Sequence, residues 1–68
     1  MEPNLALKGL IYGKYGKEVN LTKALGWSKQ RLNRITTGRS MPNVEELNAL
    51  AVALDTSVER MVHIFLPQ

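Results

Sequence analysis

Residues 21–39, LTKALGWSKQRLNRITTGR, hold two short amphipathic segments hinged at Gly26. No other feature limits the chain more firmly. Leu21, Ala24 and Leu25 fall at helical spacing before the glycine, and Leu32 and Ile35 do so after it. Lys29, Gln30, Arg31, Asn33 and Arg34 lie around these last two apolar residues and cannot all be buried. Gly26 occupies the usual place for a left-handed helix cap. Ser28 follows as an N-cap, its hydroxyl placed to accept an orphan backbone N–H. The second segment is then a helix with one apolar edge and a polar face, ending near Thr37 with Gly38 as its stop.

The same punctuation recurs along the chain. Leu5, Leu7, Leu10 and Ile11 predict a first helix over about residues 4 to 14, with Asn4 as N-cap and with Gly13 and Gly16 bracketing its end. A second helix is expected from about Glu18 to Leu25. Met41-Pro42 forces extended backbone. Asn43, with Glu46 three residues on, forms a variant capping box for a fourth helix striped by Val44, Leu47, Leu50, Ala51 and Leu54. Asp55-Thr56 breaks that helix, since Asp tolerates the left-handed conformation of a tight joint. Ser57 caps a fifth helix carrying Val58, Met61, Val62 and Phe65, which Pro67 ends. Five helices of two to three turns leave no room for a sheet. The expected fold is an all-α bundle, a single domain over residues 1–68.

Composition excludes several function classes. There is no Cys and a single His, so cysteine and histidine-rich metal sites are ruled out, and no cofactor or metal is expected. The lack of Cys fits a reducing compartment. The opening EPNLALKG begins with Glu and Pro and lacks the positive start and longer apolar run of a signal peptide, and no stretch approaches the ~18 apolar residues of a membrane span. A cytoplasmic protein is expected. Catalysis lacks an inventory, with no spaced acid pair near a base.

Charge is divided between the halves. Eight of the nine Lys and Arg lie from Lys8 to Arg39, where Glu18 is the only acid, giving that region +7. Residues 40–68 carry −3 and Glu2 adds −1, which returns the net +3. A basic half joined to an acidic half indicates one face for a polyanion and another for something else. A polar helix face of this composition suits the DNA major groove, where Arg and Lys can read guanine and Gln and Asn can read adenine. An RNA target is disfavoured because no aromatic platform sits beside the basic residues.

The order helix, helix, glycine turn, polar helix and two closing helices resembles the phage repressor and Cro type of helix-turn-helix domain, the XRE family. The resemblance covers about residues 4 to 66, with the helix-turn-helix at about 18–37. It rests on Leu21, Leu25, Gly26, Leu32, Ile35, Gly38, Pro42, Leu47, Leu50 and Leu54. It implies a lambda-repressor-like bundle and a sequence-specific transcriptional regulator, a repressor of phage or prophage type acting by promoter occlusion. Base contacts then fall to Lys29, Gln30, Asn33 and Arg34. Gln30 and Arg34 are one turn apart on one face. Phosphate contacts fall to Lys17 and Ser28, at helix N-termini that favour anions, to Arg31, which points sideways, and to Thr37, Gly38, Arg39 and Ser40 after the polar helix.

The chain also departs from the family. Thr22 stands where a small residue is usual, so the two motif helices are expected to cross slightly wider. Ile11 and Thr36 stand where many members pair Arg with Glu, which suggests an apolar substitute. Glu18 would repel phosphate unless it turns to Lys14 or Lys17. Trp27 is read as a ring packed over the second helix, the alternative being a ring edge toward DNA. His63 is read as a bland surface or interface histidine.

Met61, Val62, Ile64, Phe65 and Leu66 cannot all face one small core. They are expected to form a homodimer interface, as surfaces near this end do in the family, and the DNA target would be a near-palindromic operator. The bland alternative is that the segment docks on the chain's own core. A second reading of the whole chain is a protein-binding adaptor or antitoxin built on the same bundle. No small-molecule substrate is expected.

Overall fold

The computed structural model describes residues 3–66. Five helices follow one another: α1 (Leu5–Tyr15), α2 (Glu18–Leu25), α3 (Lys29–Thr36), α4 (Val44–Ala53) and α5 (Val58–Phe65). No strand occurs among the described residues.

Four of the five helices start at a side-chain cap, while α2, behind Lys17, has none. The Asn4 side chain accepts from the Leu7 amide, Ser28 from Arg31 and Ser57 from Arg60. Asn43 and Glu46 form a reciprocal capping box, satisfying two amides that would otherwise lack intrahelical partners. Gly26 closes α2 in the left-handed region at φ 73°, and the Thr22 carbonyl accepts from both Gly26 and Trp27. α4 ends in a Schellman arrangement: Asp55 takes φ 55°, its amide donates to Val52, and the Thr56 amide donates to Ala51. The expected end of α5 at Pro67 lies outside the described residues.

The core draws on every helix: Leu7, Ile11, Leu21, Leu32, Ile35, Leu50, Ala51, Leu54 and Met61 are buried. Leu10, Tyr15, Leu25, Trp27, Leu47, Ile64 and Phe65 pack partly against them. Trp27 therefore packs, as expected. Asn4 also ties the ends of the chain together, its amide donating to Thr36 and its side chain to the Ile64 carbonyl. The Tyr15 hydroxyl joins α1 to the end of α4 through the Ala53 carbonyl at 2.7 Å.

Several expected core residues are outside. Leu5 is 74% exposed, because two positions before Leu7 places it roughly 200° around the helix from the buried stripe. Val44 is 71% exposed in the first turn of α4, where Asn43 and Glu45 are exposed too. Val58 is exposed at the start of α5, and Ala24 is exposed while Thr22 takes the buried place beside Leu21. The Thr22 hydroxyl is accommodated there by donating to the Val19 carbonyl at 2.7 Å.

The apolar end of α5 also needs correction. Met61, expected at a dimer interface, is fully buried in the chain's own core. Ile64 and Phe65 follow it by one turn and turn partly inward against the same core. Val62 is half-buried, and Leu66, just beyond the helix, is 49% exposed. Much of the expected patch is therefore spent within the protomer.

Candidate nucleic-acid interface

α2 and α3 form the helix-turn-helix, and the phase of α3 decides what it shows to solvent. Leu32, Ile35 and Thr36 are buried, while Lys29, Gln30, Asn33 and Arg34 are exposed. These four span roughly 140° of the helix surface. The structure thus brings all the expected base-reading side chains together on one face. Among the described residues the one salt bridge joins Arg31 to Glu46, so Lys17, Lys29, Arg34 and Arg39 have no carboxylate partner.

The turn after α3 is built from that helix's own carbonyls. The Thr37 amide and hydroxyl both donate to the Asn33 carbonyl, at 2.9 and 2.7 Å. The amides of Arg39 and Ser40 share the Arg34 carbonyl at 2.9 and 3.1 Å. Gly38 makes this possible with φ 79°, a conformation that side-chain-bearing residues rarely adopt. Arg39 and Gly38 are exposed, and Thr37 and Ser40 are half-buried. Lys17 and Ser28 are exposed at the starts of α2 and α3. Apart from Arg31, the expected phosphate-contacting groups thus lie at the start of α2 and at the two ends of α3, exposed or half-buried.

Arg31 turns sideways to α4. Its Nε donates to Glu46 Oε2 at 2.6 Å, its Nη2 to Glu46 Oε1, and its Nη1 to the Ser40 hydroxyl at 2.8 Å. The guanidinium expected at phosphate is thus held by Glu46, which the sequence marks only as half of a capping box. The Arg31 guanidinium holds the Glu46 carboxyl below the ordinary carboxylate range, and the Asn43 amide helps, against an opposing effect of burial. A carboxyl lowered in this way contributes stability that is complete above its unfolded pKa. That contribution disappears as pH falls through the folded value. The domain is expected to weaken below about pH 4, and Glu46→Gln to lose less stability across that window. Urea unfolding midpoints at pH 7 and pH 3 for both proteins check this, and equal losses would remove Glu46 from the account.

Glu18 does not turn to Lys14 or Lys17. Its two oxygens accept from the Tyr12 hydroxyl at 3.2 Å and the Thr36 hydroxyl at 3.0 Å. The first bond holds the Tyr12 phenol above its ordinary pKa. Ile11 and Thr36, the pair expected to stand in for an Arg–Glu pairing, are both fully buried. The substitute expected there is thus half apolar, and Thr36 keeps its hydroxyl satisfied through Glu18. His63 is exposed on α5.

Among the described residues no cluster of His, Cys, Asp or Glu could hold a metal ion, and no helix is long and apolar enough to cross a membrane. The helix-turn-helix family model matches residues 17–61, from the start of α2 into α5. The chain belongs to this family, in its XRE type, and carries a DNA-binding domain of the kind found in transcription regulators. Neither curated proteins nor solved structures give a match.

Proposed function

We propose that this protein is a sequence-specific repressor of phage or prophage type, which occludes a promoter by placing α3 in the major groove of its operator. The carrying observation is the α3 surface: four exposed polar side chains on one face, anchored from behind by Leu32 and Ile35. Gln30 reads adenine and Arg34 reads guanine through paired hydrogen bonds, with Lys29 and Asn33 beside them. Lys17, Ser28, Thr37, Gly38, Arg39 and Ser40 fix the register on the sugar-phosphate backbone. The protein acts in the cytoplasm, where that DNA is, and uses no cofactor and no catalysis.

The operator is a near-palindrome bound by a homodimer. Leu66, with the half-buried Val62, Ile64 and Phe65, offers the remaining apolar surface at the end of α5. Selection from a pool of random duplexes at two salt concentrations tests the reading. Enrichment of a near-palindrome with half-sites about ten base pairs apart is expected. Salt-sensitive retention without an enriched sequence would deny the base contacts. Loss of all retention would favour the adaptor or antitoxin reading.

A further inference from the structure

Arg31 is the one basic residue of α3 that does not point outward with the others. It lies roughly 130° around the helix from the centre of the Lys29, Gln30, Asn33 and Arg34 face, toward α4. All three guanidinium nitrogens have acceptors, and these come from three places. Glu46 lies in the first turn of α4, the Ser40 hydroxyl in the turn after α3, and the Met41 carbonyl, at 3.4 Å from Nη2, on the approach to Pro42. Glu46 is itself anchored, since its Oε1 also accepts from the Asn43 amide at 2.9 Å. One planar fork thus closes the chain from residue 31 to residue 46.

We propose that Arg31 is a positioning residue for DNA recognition. Clasped by Glu46, it holds the Thr37–Ser40 turn against α3 and does not itself meet a phosphate. This rests on the operator reading above. The near side of the turn is fixed by the Arg34 carbonyl, which takes the Arg39 and Ser40 amides. The far side is fixed by Arg31 through Ser40 and Met41. The clasp therefore sets where Thr37, Gly38 and Arg39 stand relative to the base-reading face. It also explains how a basic residue beside the interface is neutralised by an acid from the negatively charged half of the chain. A lysine keeps the charge but not the fork that grips a carboxylate with two parallel bonds while a third donor reaches Ser40.

The two roles of Arg31 predict opposite signs for one substitution. Glu46→Gln leaves the side chain isosteric and still able to accept from the Asn43 amide, but it removes the negative charge and sets an NH2 donor against the Arg31 Nε, which breaks the two-bond clasp. Wild type, Glu46→Gln, Arg31→Lys and the double variant are compared for binding to the selected duplex over a salt series. Circular dichroism gives the folded fraction, and hydrogen exchange follows the Arg39 and Ser40 amides. Each single variant is expected to bind about tenfold more weakly once corrected for folding, and the double no weaker than either, as for groups in one network. The salt slope stays at the wild-type value, and the two amides exchange faster.

Tighter binding by Glu46→Gln, with a slope steeper by about one unit, would overturn the proposal by showing a phosphate ligand that Glu46 restrains. Wild-type affinity in both single variants would overturn it as well, leaving the clasp a matter of stability alone. In both of these cases the wild-type protein still selects its duplex and the operator reading stands. A wild-type protein that retained no duplex would overturn both together.

Discussion

Leu32→Ala is expected to unfold the domain. Leu32 is fully buried at the centre of α3, between the α2 side of the motif and the rest of the core. Removing a buried leucine side chain costs about 2–5 kcal/mol, through lost transfer energy and the cavity left behind. A 68-residue domain has on the order of 3–10 kcal/mol in all. No disulfide supplements the core, as the chain has no Cys. The loss is therefore comparable with the whole stability. Urea unfolding at 25 °C checks it: a variant within 1 kcal/mol of wild type, roughly a quarter of the expected loss, would mean that α3 does not dock through Leu32.

Arg34→Ala is expected to weaken the selected operator by roughly 1–3 kcal/mol while sparing random duplex, the signature of a bidentate contact to guanine. Arg34 is exposed on the same face as Gln30 and, among the described residues, has no carboxylate to release. Arg39→Ala is the natural comparison, because Arg39 stands on the turn beyond the helix. It should weaken all duplexes alike and make the salt slope shallower by about one unit. Titrations of both variants against operator and random duplex over a salt series separate the two roles. Equal losses on both duplexes for Arg34→Ala would reduce it to a phosphate contact, and an unchanged slope for Arg39→Ala would take it off the DNA.

The α5 patch illustrates where sequence patterning stops. Met61, Ile64 and Phe65 share helical spacing, and nothing in that spacing says whether the stripe faces a partner or the protomer's own core. The bundle decides it, because α4 and α5 pack against each other and turn Met61 fully inward. Leu5 is a similar case: its hydrophobicity marks a helix, but only the buried positions of Leu7 and Ile11 show that it lies on the far side.

The local frame follows from the residues alone. Asn4, Ser28, Asn43 with Glu46, and Ser57 start helices, and Gly26 and Asp55 stop them, through bonds that reach at most a few residues along the chain. The exposed face of α3 was legible for the same reason, since Leu32 and Ile35 fix its phase and leave Lys29, Gln30, Asn33 and Arg34 outside. The tertiary structure alone decided the links between helices. Arg31 meets Glu46 fifteen positions away, and Glu18 meets Thr36 eighteen positions away while also holding Tyr12. Such pairings depend on how separate helices are stacked and turned against one another, and that arrangement comes from packing the common core, in which no charged group among the described residues takes part.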